Sequence, residues 1–313
     1  MYLELLIVIA GLLGLWFGSD LLISSGKNIA RHFGISYFFF GLAFVSIGTS
    51  LPEISITIMG AIDRLQGIET SGIVLGDKLG SAMVNLTLFI GIFALFTLLH
   101  MKKRETYQLG TPLIGSIILY FLLAVDGVFS RTDSIIMLVA YGLYYIFLCN
   151  TEKMYVGAKR PALQITKDII FAVTGLAFIL ISSQFVVENC VKLAELWQVN
   201  QTLIGIFLLG IGTGLPEFSL VIMSIRKKTM SLSMGDLLGS NIVDLFLATG
   251  LGGVISGFIV DKKLVLFDIP VLFIFTVVFL YFLLTKNKLE KTEGIMLLLL
   301  FALYAFLKIF FMA

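Results

Sequence analysis

Charge is what this sequence has little of. Only 13% of its 313 residues are Asp, Glu, Lys or Arg, while 58% are hydrophobic. Soluble globular domains carry about a quarter charged residues. Apolar segments of spanning length follow one another along the whole chain, so the composition excludes a soluble domain and implies a polytopic helical membrane protein in a lipid bilayer. The net charge of +2 offers no basic face for nucleic acid. The two cysteines, Cys149 and Cys190, fall near opposite membrane faces in the topology below, which argues against a disulfide, and no thiol site is supported. The two histidines, His32 and His100, have no metal-ligand partner at useful spacing. The first residues include Glu4 but no early Lys or Arg and no small-residue cleavage site, so they read as a first span and not as a signal peptide.

Ten spans are expected, at 3–29, 37–62, 72–98, 109–125, 134–148, 169–193, 203–225, 231–259, 264–284 and 295–311. The odd-numbered loops hold fifteen Lys or Arg residues, among them Lys102, Lys103, Arg104, Lys153, Lys159, Arg160, Arg226, Lys227 and Lys228; the even-numbered loops hold five. The positive-inside rule then puts the odd loops in the cytoplasm and both termini outside a multi-pass cell-membrane protein.

The chain is arranged around Gly48-Thr49-Ser50-Leu51-Pro52-Glu53, which returns as Gly212-Thr213-Gly214-Leu215-Pro216-Glu217 in a second apolar run. A carboxylate at membrane depth costs roughly 2.5–3.5 kcal/mol on insertion scales. Pro52 lacks an N–H and its ring clashes with the carbonyl of Gly48, so the helix should break there, and Pro216 repeats the device. Broken backbone at this depth is tolerated only against protein or a water-filled cavity. Carbonyls, hydroxyls and a Glu then converge in an oxygen cage suited to a hard cation such as Na+ or Ca2+. The plainer reading is a capped kink, because Ser50-x-x-Glu53 fits a capping box. Gly214 removes that hydroxyl in the second copy, yet Glu217 stays.

A second pair of segments matches as well: Gly76-Asp77-Lys78-Leu79-Gly80-Ser81-Ala82-Met83-Val84-Asn85 against Gly235-Asp236-Leu237-Leu238-Gly239-Ser240-Asn241-Ile242-Val243-Asp244. Five spans on each side of a linker force the second half into the membrane in the opposite sense. The expected architecture is all-α: residues 1–149 and 168–313 as inverted five-helix repeats, joined by a cytoplasmic linker at 150–167, with spans two and seven broken. Inverted repeats with interrupted helices point to a secondary transporter, not an enzyme. Ser81 and Asn85, like Ser240 and Asp244, are four residues apart and share a helical face, while Gly80 and Gly239 allow close helix approach. The alternative is that these polar groups are interhelical glue. Two glutamates about 5 Å apart at an effective dielectric near 20 repel by roughly 3 kcal/mol, which a divalent ion, several Na+ or protons must cancel.

These motifs resemble the alpha repeats of the sodium/calcium exchanger family within the calcium/cation antiporters, and the resemblance covers both halves. It implies a ten-helix fold in which Glu53 and Glu217 are the main Ca2+ ligands and Asn85 and Asp244 complete the ring. It implies that Thr49 and Thr213 give backbone oxygens, that Ser50, Ser81 and Ser240 help form Na+ sites, and that spans one and six slide as a gating pair. Transported Ca2+ and Na+ would be the bound partners; no prosthetic group, catalytic residue or protein partner is implied. The short loops leave no room for a separate Ca2+-sensing domain. The sequence departs from the family pattern at Gly214, where a serine is usual, at Asp77 and Asp236, where asparagine is more frequent, and at Lys78. Lys78 lies on the same face as Asn85, about 10 Å away along the helix. It either snorkels outward, pairs with Asp77, or acts as a fixed cation that weakens one Na+ site.

The leading function is Na+/Ca2+ antiport. A Ca2+/H+ antiporter remains open because clustered acids attract protons. A cation channel fits less well, because a pore prefers weak sites in file. An intramembrane protease with Asp77 and Asp236 as a dyad would leave the other convergent oxygens without a role. Asp20 and Glu188, near membrane ends, read as interfacial or paired residues, and Asp126 and Asp133 as solvated residues of an outer loop.

Overall fold

The computed structural model describes residues 2–33, 46–101, 103–151, 165–227, 230–286 and 288–311. The expected start of span two at 37–45, the linker residues Lys153, Lys159 and Arg160, Lys102 and Lys228 lie outside them, as do the side chains of Arg104, Lys227, His32 and Cys149.

Eight helices among the described residues are long and apolar enough to span a membrane: Ser71–Phe96, Thr106–Ala124, Arg131–Leu148, Thr166–Trp197, Gln201–Ile222, Ser233–Ser256, Leu264–Thr285 and Lys291–Phe310. Each falls on an expected span. Before them run one continuous helix, Tyr2–Phe33, and the pair Ser46–Thr49 and Leu51–Leu65.

Tyr2–Phe33 and Ile165–Trp197 are the longest helices among the described residues, with 32 and 33 residues. At 1.5 Å per residue each is about 50 Å long, well beyond a hydrocarbon core of about 30 Å, so they must tilt or protrude. They pack on each other through small residues: a Cβ on Gly18 would lie 2.8 Å from the Gly175 carbonyl oxygen. The expected pairing of spans one and six is thus present as a contact. A Trp16 Nε1 to Ser219 Oγ hydrogen bond of 3.1 Å ties the first helix to Leu215–Lys227.

Among the described residues two short antiparallel ribbons tie loops together. Leu99–His100 pairs with Lys288–Leu289, and Val128–Phe129 pairs with Phe258–Ile259. Asp133 does more than solvate its loop: its carboxylate accepts from the Ser130 N–H at 2.9 Å and from the Ser130 hydroxyl, capping Arg131–Thr151. Gln184 Nε2 donates to Glu188 at 2.7 Å, Asp20 is exposed, and Cys190 is a buried free thiol.

Among the described residues four stretches are π-helical: Val84–Phe89, Ile204–Leu209, Val243–Ala248 and Leu264–Asp268. The sequence pattern, read at 3.6 residues per turn, implies regular helix there. Two of the stretches begin next to Asn85 and Asp244, and such turns occur frequently at functional sites.

Candidate ion-binding site

Both helix breaks fall where the prolines put them. The first interrupts the chain at Ser50 (φ −79°, ψ 9°), with Pro52 in the first turn of Leu51–Leu65. The second is the turn at Thr213 and Gly214, between Gly210–Gly212 and Leu215–Lys227. Each is tighter than full unwinding. Ser50 N still donates to Ser46 O at 3.2 Å and Ile54 N to Ser50 O at 2.9 Å; Thr213 N donates to Leu209 O at 2.7 Å and Phe218 N to Gly214 O at 3.0 Å. A proline deletes one helical bond, and its neighbours keep theirs.

Helix Ser71–Met83 crosses the segment before the second break at backbone distance. A Cβ on Gly80 would collide with the Ile206 carbonyl, and one on Gly210 would lie 2.7 Å from Ser81 N. Gly239 is the looser counterpart, where a Cβ would lie 2.6 Å from Ser46 Oγ. The expected close approach at Gly80 and Gly239 is therefore backbone against backbone in one half and backbone against a serine in the other.

Glu53, Glu217, Asn85, Asp244, Thr49, Ser50, Thr213, Ser81 and Ser240 are all buried. The threonines make a crossed pair of hydrogen bonds. Thr49 Oγ1 donates to Asp236 Oδ1 at 3.1 Å, and Thr213 Oγ1 donates to Asp77 Oδ1 at 3.0 Å. Each bond joins a break in one matched segment to the acidic residue of the other half. Ser81 Oγ reaches Glu53 Oε1 at 3.4 Å, and Asn85 Nδ2 donates to Ser240 Oγ at 3.2 Å and to Asn241 Oδ1 at 3.0 Å. Ser240 Oγ in turn bonds Leu237 O at 3.2 Å.

Several oxygens have no hydrogen-bond partner in the protein: Glu53 Oε2, both oxygens of Glu217, both of Asp244, Asn85 Oδ1 and Ser50 Oγ. The Ser50 and Ser81 hydroxyls interact with Asp244. Ser50 makes no cap bond, so the capping-box reading of Ser50-x-x-Glu53 is not what this hydroxyl does. The carboxylates share one environment: Glu217 interacts with the charges of Glu53, Asp236 and Asp244, and Glu53 with those of Asp244, Asp77 and Lys78. Buried polar atoms carry a free-energy cost unless paired, and buried carboxylates all the more; a cation would remove it. Among the described residues no three Asp, Glu, His or Cys side chains converge closely enough to hold a metal by themselves, so a cation here would also need hydroxyl, amide or backbone oxygens.

Lys78 does not snorkel. It is fully buried, with its ammonium 2.8 Å from Asp77 Oδ2. Asp77 and Asp236 are each held by the threonine of the opposite break, and Asp77 is also paired with Lys78. Gly214 also has a physical reason: a Cβ there would lie 2.9 Å from Phe89 Cε2. Asn241, which also donates to Ala82 O at 3.3 Å, joins the site without a clear motif to announce it. Its one signal in the sequence is that a polar amide aligns with the apolar Ala82 of the other half.

The chain resembles known proteins along nearly its whole length. The chain is 29% identical to the sodium/calcium exchanger MaX1 of Methanosarcina acetivorans, over 98% of each protein. It is 28% identical to the putative antiporter CaxA of Alkalimonas amylolytica, over 96% of this chain and 97% of that one. Its fold matches a structure of the sodium-calcium exchanger NCX_Mj soaked with 10 mM Na+ and zero Ca2+, at a TM-score of 0.70 and 24% identity over 99% of both chains. The sequence profile of the sodium/calcium exchanger protein family matches residues 3–150 and 167–310, and the chain belongs to that family.

Proposed function

We propose that this chain is a secondary-active antiporter that exchanges Na+ for Ca2+ across the cell membrane by alternating access. Glu53 and Glu217 hold Ca2+, and Asn85 and Asp244 complete the ring. Thr49 and Thr213 supply backbone oxygens, and Ser50, Ser81 and Ser240 contribute hydroxyls to Na+. The carrying observation is the set of buried oxygens on Glu53, Glu217, Asp244, Asn85 and Ser50 that the protein itself leaves without hydrogen bonds. Hard oxygen donors of this kind suit Na+ and Ca2+.

The same reading arranges the chain as ten spans in two inverted repeats, 1–149 and 168–313, joined by a cytoplasmic linker at 150–167, with both termini outside. Two features support it. The crossed threonine–aspartate bonds relate one half to the other by an exchange of roles. Each ribbon joins loops of the same parity, 99–100 with 288–289 and 128–129 with 258–259, as the counted alternation of spans requires. The tilted pair Tyr2–Phe33 and Ile165–Trp197 moves against the rest to open the site alternately.

The test is flux. Purified protein in sealed liposomes takes up Ca2+ when an outward Na+ gradient is imposed. Uptake driven by a proton gradient instead identifies Ca2+/H+ exchange, and Ca2+ flux without any coupling identifies a channel.

A further inference from the structure

The two halves of the site are chemically unequal. At the first break the Ser50 hydroxyl is fully buried and has no hydrogen-bond partner. At the second break the matching position is Gly214. The space beside it is filled by Phe89, whose ring stacks on Phe218 at a centroid distance of 4.9 Å. The acidic residue of this half, Asp77, accepts from Thr213 on one oxygen and binds the Lys78 ammonium with the other at 2.8 Å. The residue matching Lys78 in the other half is Leu237. Where one half presents an oxygen to a cation, the other presents an aromatic ring and a cation of its own.

Lys78 also reaches the ring electrostatically. It is the foremost charge acting on Asp244, ahead of Asp77, whereas Asp77 outweighs it at Glu53. At Asp244 the positive charge of the pair outweighs the negative one. An ammonium carries the same charge as Na+, but its four-carbon stem keeps it from leaving.

We propose that Lys78 is a tethered cation that takes the place of one Na+ in the half of the site built on the second break, so that Na+ from solution is bound in the half built on Ser50. Fewer Na+ ions then accompany each Ca2+ than with a neutral residue at position 78. This inference rests on the Na+/Ca2+ exchange reading.

The test uses the purified full chain in detergent. Ca2+ binding is measured by calorimetry at increasing Na+, for the unsubstituted protein and for Asp77→Asn/Lys78→Met. The double substitution keeps the summed charge of the pair at zero and removes the ammonium that acts on Asp244. The Hill coefficient for displacement of Ca2+ by Na+ should rise by about one in the variant, because one more Na+ competes. If that variant does not fold, Asp77→Asn/Lys78→Leu, with the residue found at the matching position 237, is read in the same way. An unchanged Hill coefficient and Na+ midpoint overturn the role of Lys78, since a purely structural ion pair would not move them. Ca2+ binding that Na+ fails to displace even in the unsubstituted protein overturns the exchange reading, and this inference with it.

Discussion

Replacing Asp77 by Asn tests the buried ion pair. The amide oxygen can still accept from Thr213, so the crossed hydrogen bond survives and only the negative charge is lost. Opposite unit charges 2.8 Å apart attract by roughly 6 kcal/mol at an effective dielectric near 20. Part of that attraction offsets the desolvation of both groups. Stranding one partner of a buried pair costs about 3–5 kcal/mol. Lys78 is fully buried, with no water to solvate its stranded ammonium. For a chain of this size the loss corresponds to a fall in Tm on the order of 5–10 °C. Thermal unfolding of detergent-purified protein measures it. Asp77→Asn/Lys78→Met removes both charges and should recover most of the loss, because apolar replacement of a buried pair is often neutral or stabilising. An Asp77→Asn protein as stable as the unsubstituted one would refute the reasoning, since the ammonium would not then depend on Asp77.

Three further outcomes are expected. Glu53→Gln and Glu217→Gln should each abolish calorimetric Ca2+ binding while leaving Tm within a few degrees, because each removes a charge from an already crowded cluster. Gly80→Leu should destabilise by at least about 1–3 kcal/mol, the usual cost of overpacking, whereas Gly115→Leu, where an added Cβ would meet nothing within 4 Å, should leave the melting curve unchanged. Gly214→Ser should not raise Na+ affinity, because the new side chain meets the Phe89 ring before it meets an ion; a gain would show that Phe89 yields.

Much of the site was legible in the sequence because its causes are local. Pro52 and Pro216 each follow a glycine-containing segment and sit in the first turn after a break, and an acidic residue beside each break in an apolar run announces itself. What stayed hidden depends on contacts between segments far apart in the chain. The bond from Thr49 to Asp236 spans 187 residues and that from Thr213 to Asp77 spans 136, and no periodicity within one helix encodes either. The π turns at Asn85 and Asp244 have no signature in a pattern read at 3.6 residues per turn. The fit of Gly214 against the Phe89 ring and the burial of Lys78 beside Asp77 likewise depend on packing between distant segments.

The most direct measurement of the central claim is the position of Ca2+ itself. In crystals grown with Ca2+, anomalous scattering should place an ion between the two helix breaks, within about 2.3–2.6 Å of oxygens from both Glu53 and Glu217. Two ions in separate cavities, each bound by one glutamate alone, or no ion at either glutamate, would contradict the account.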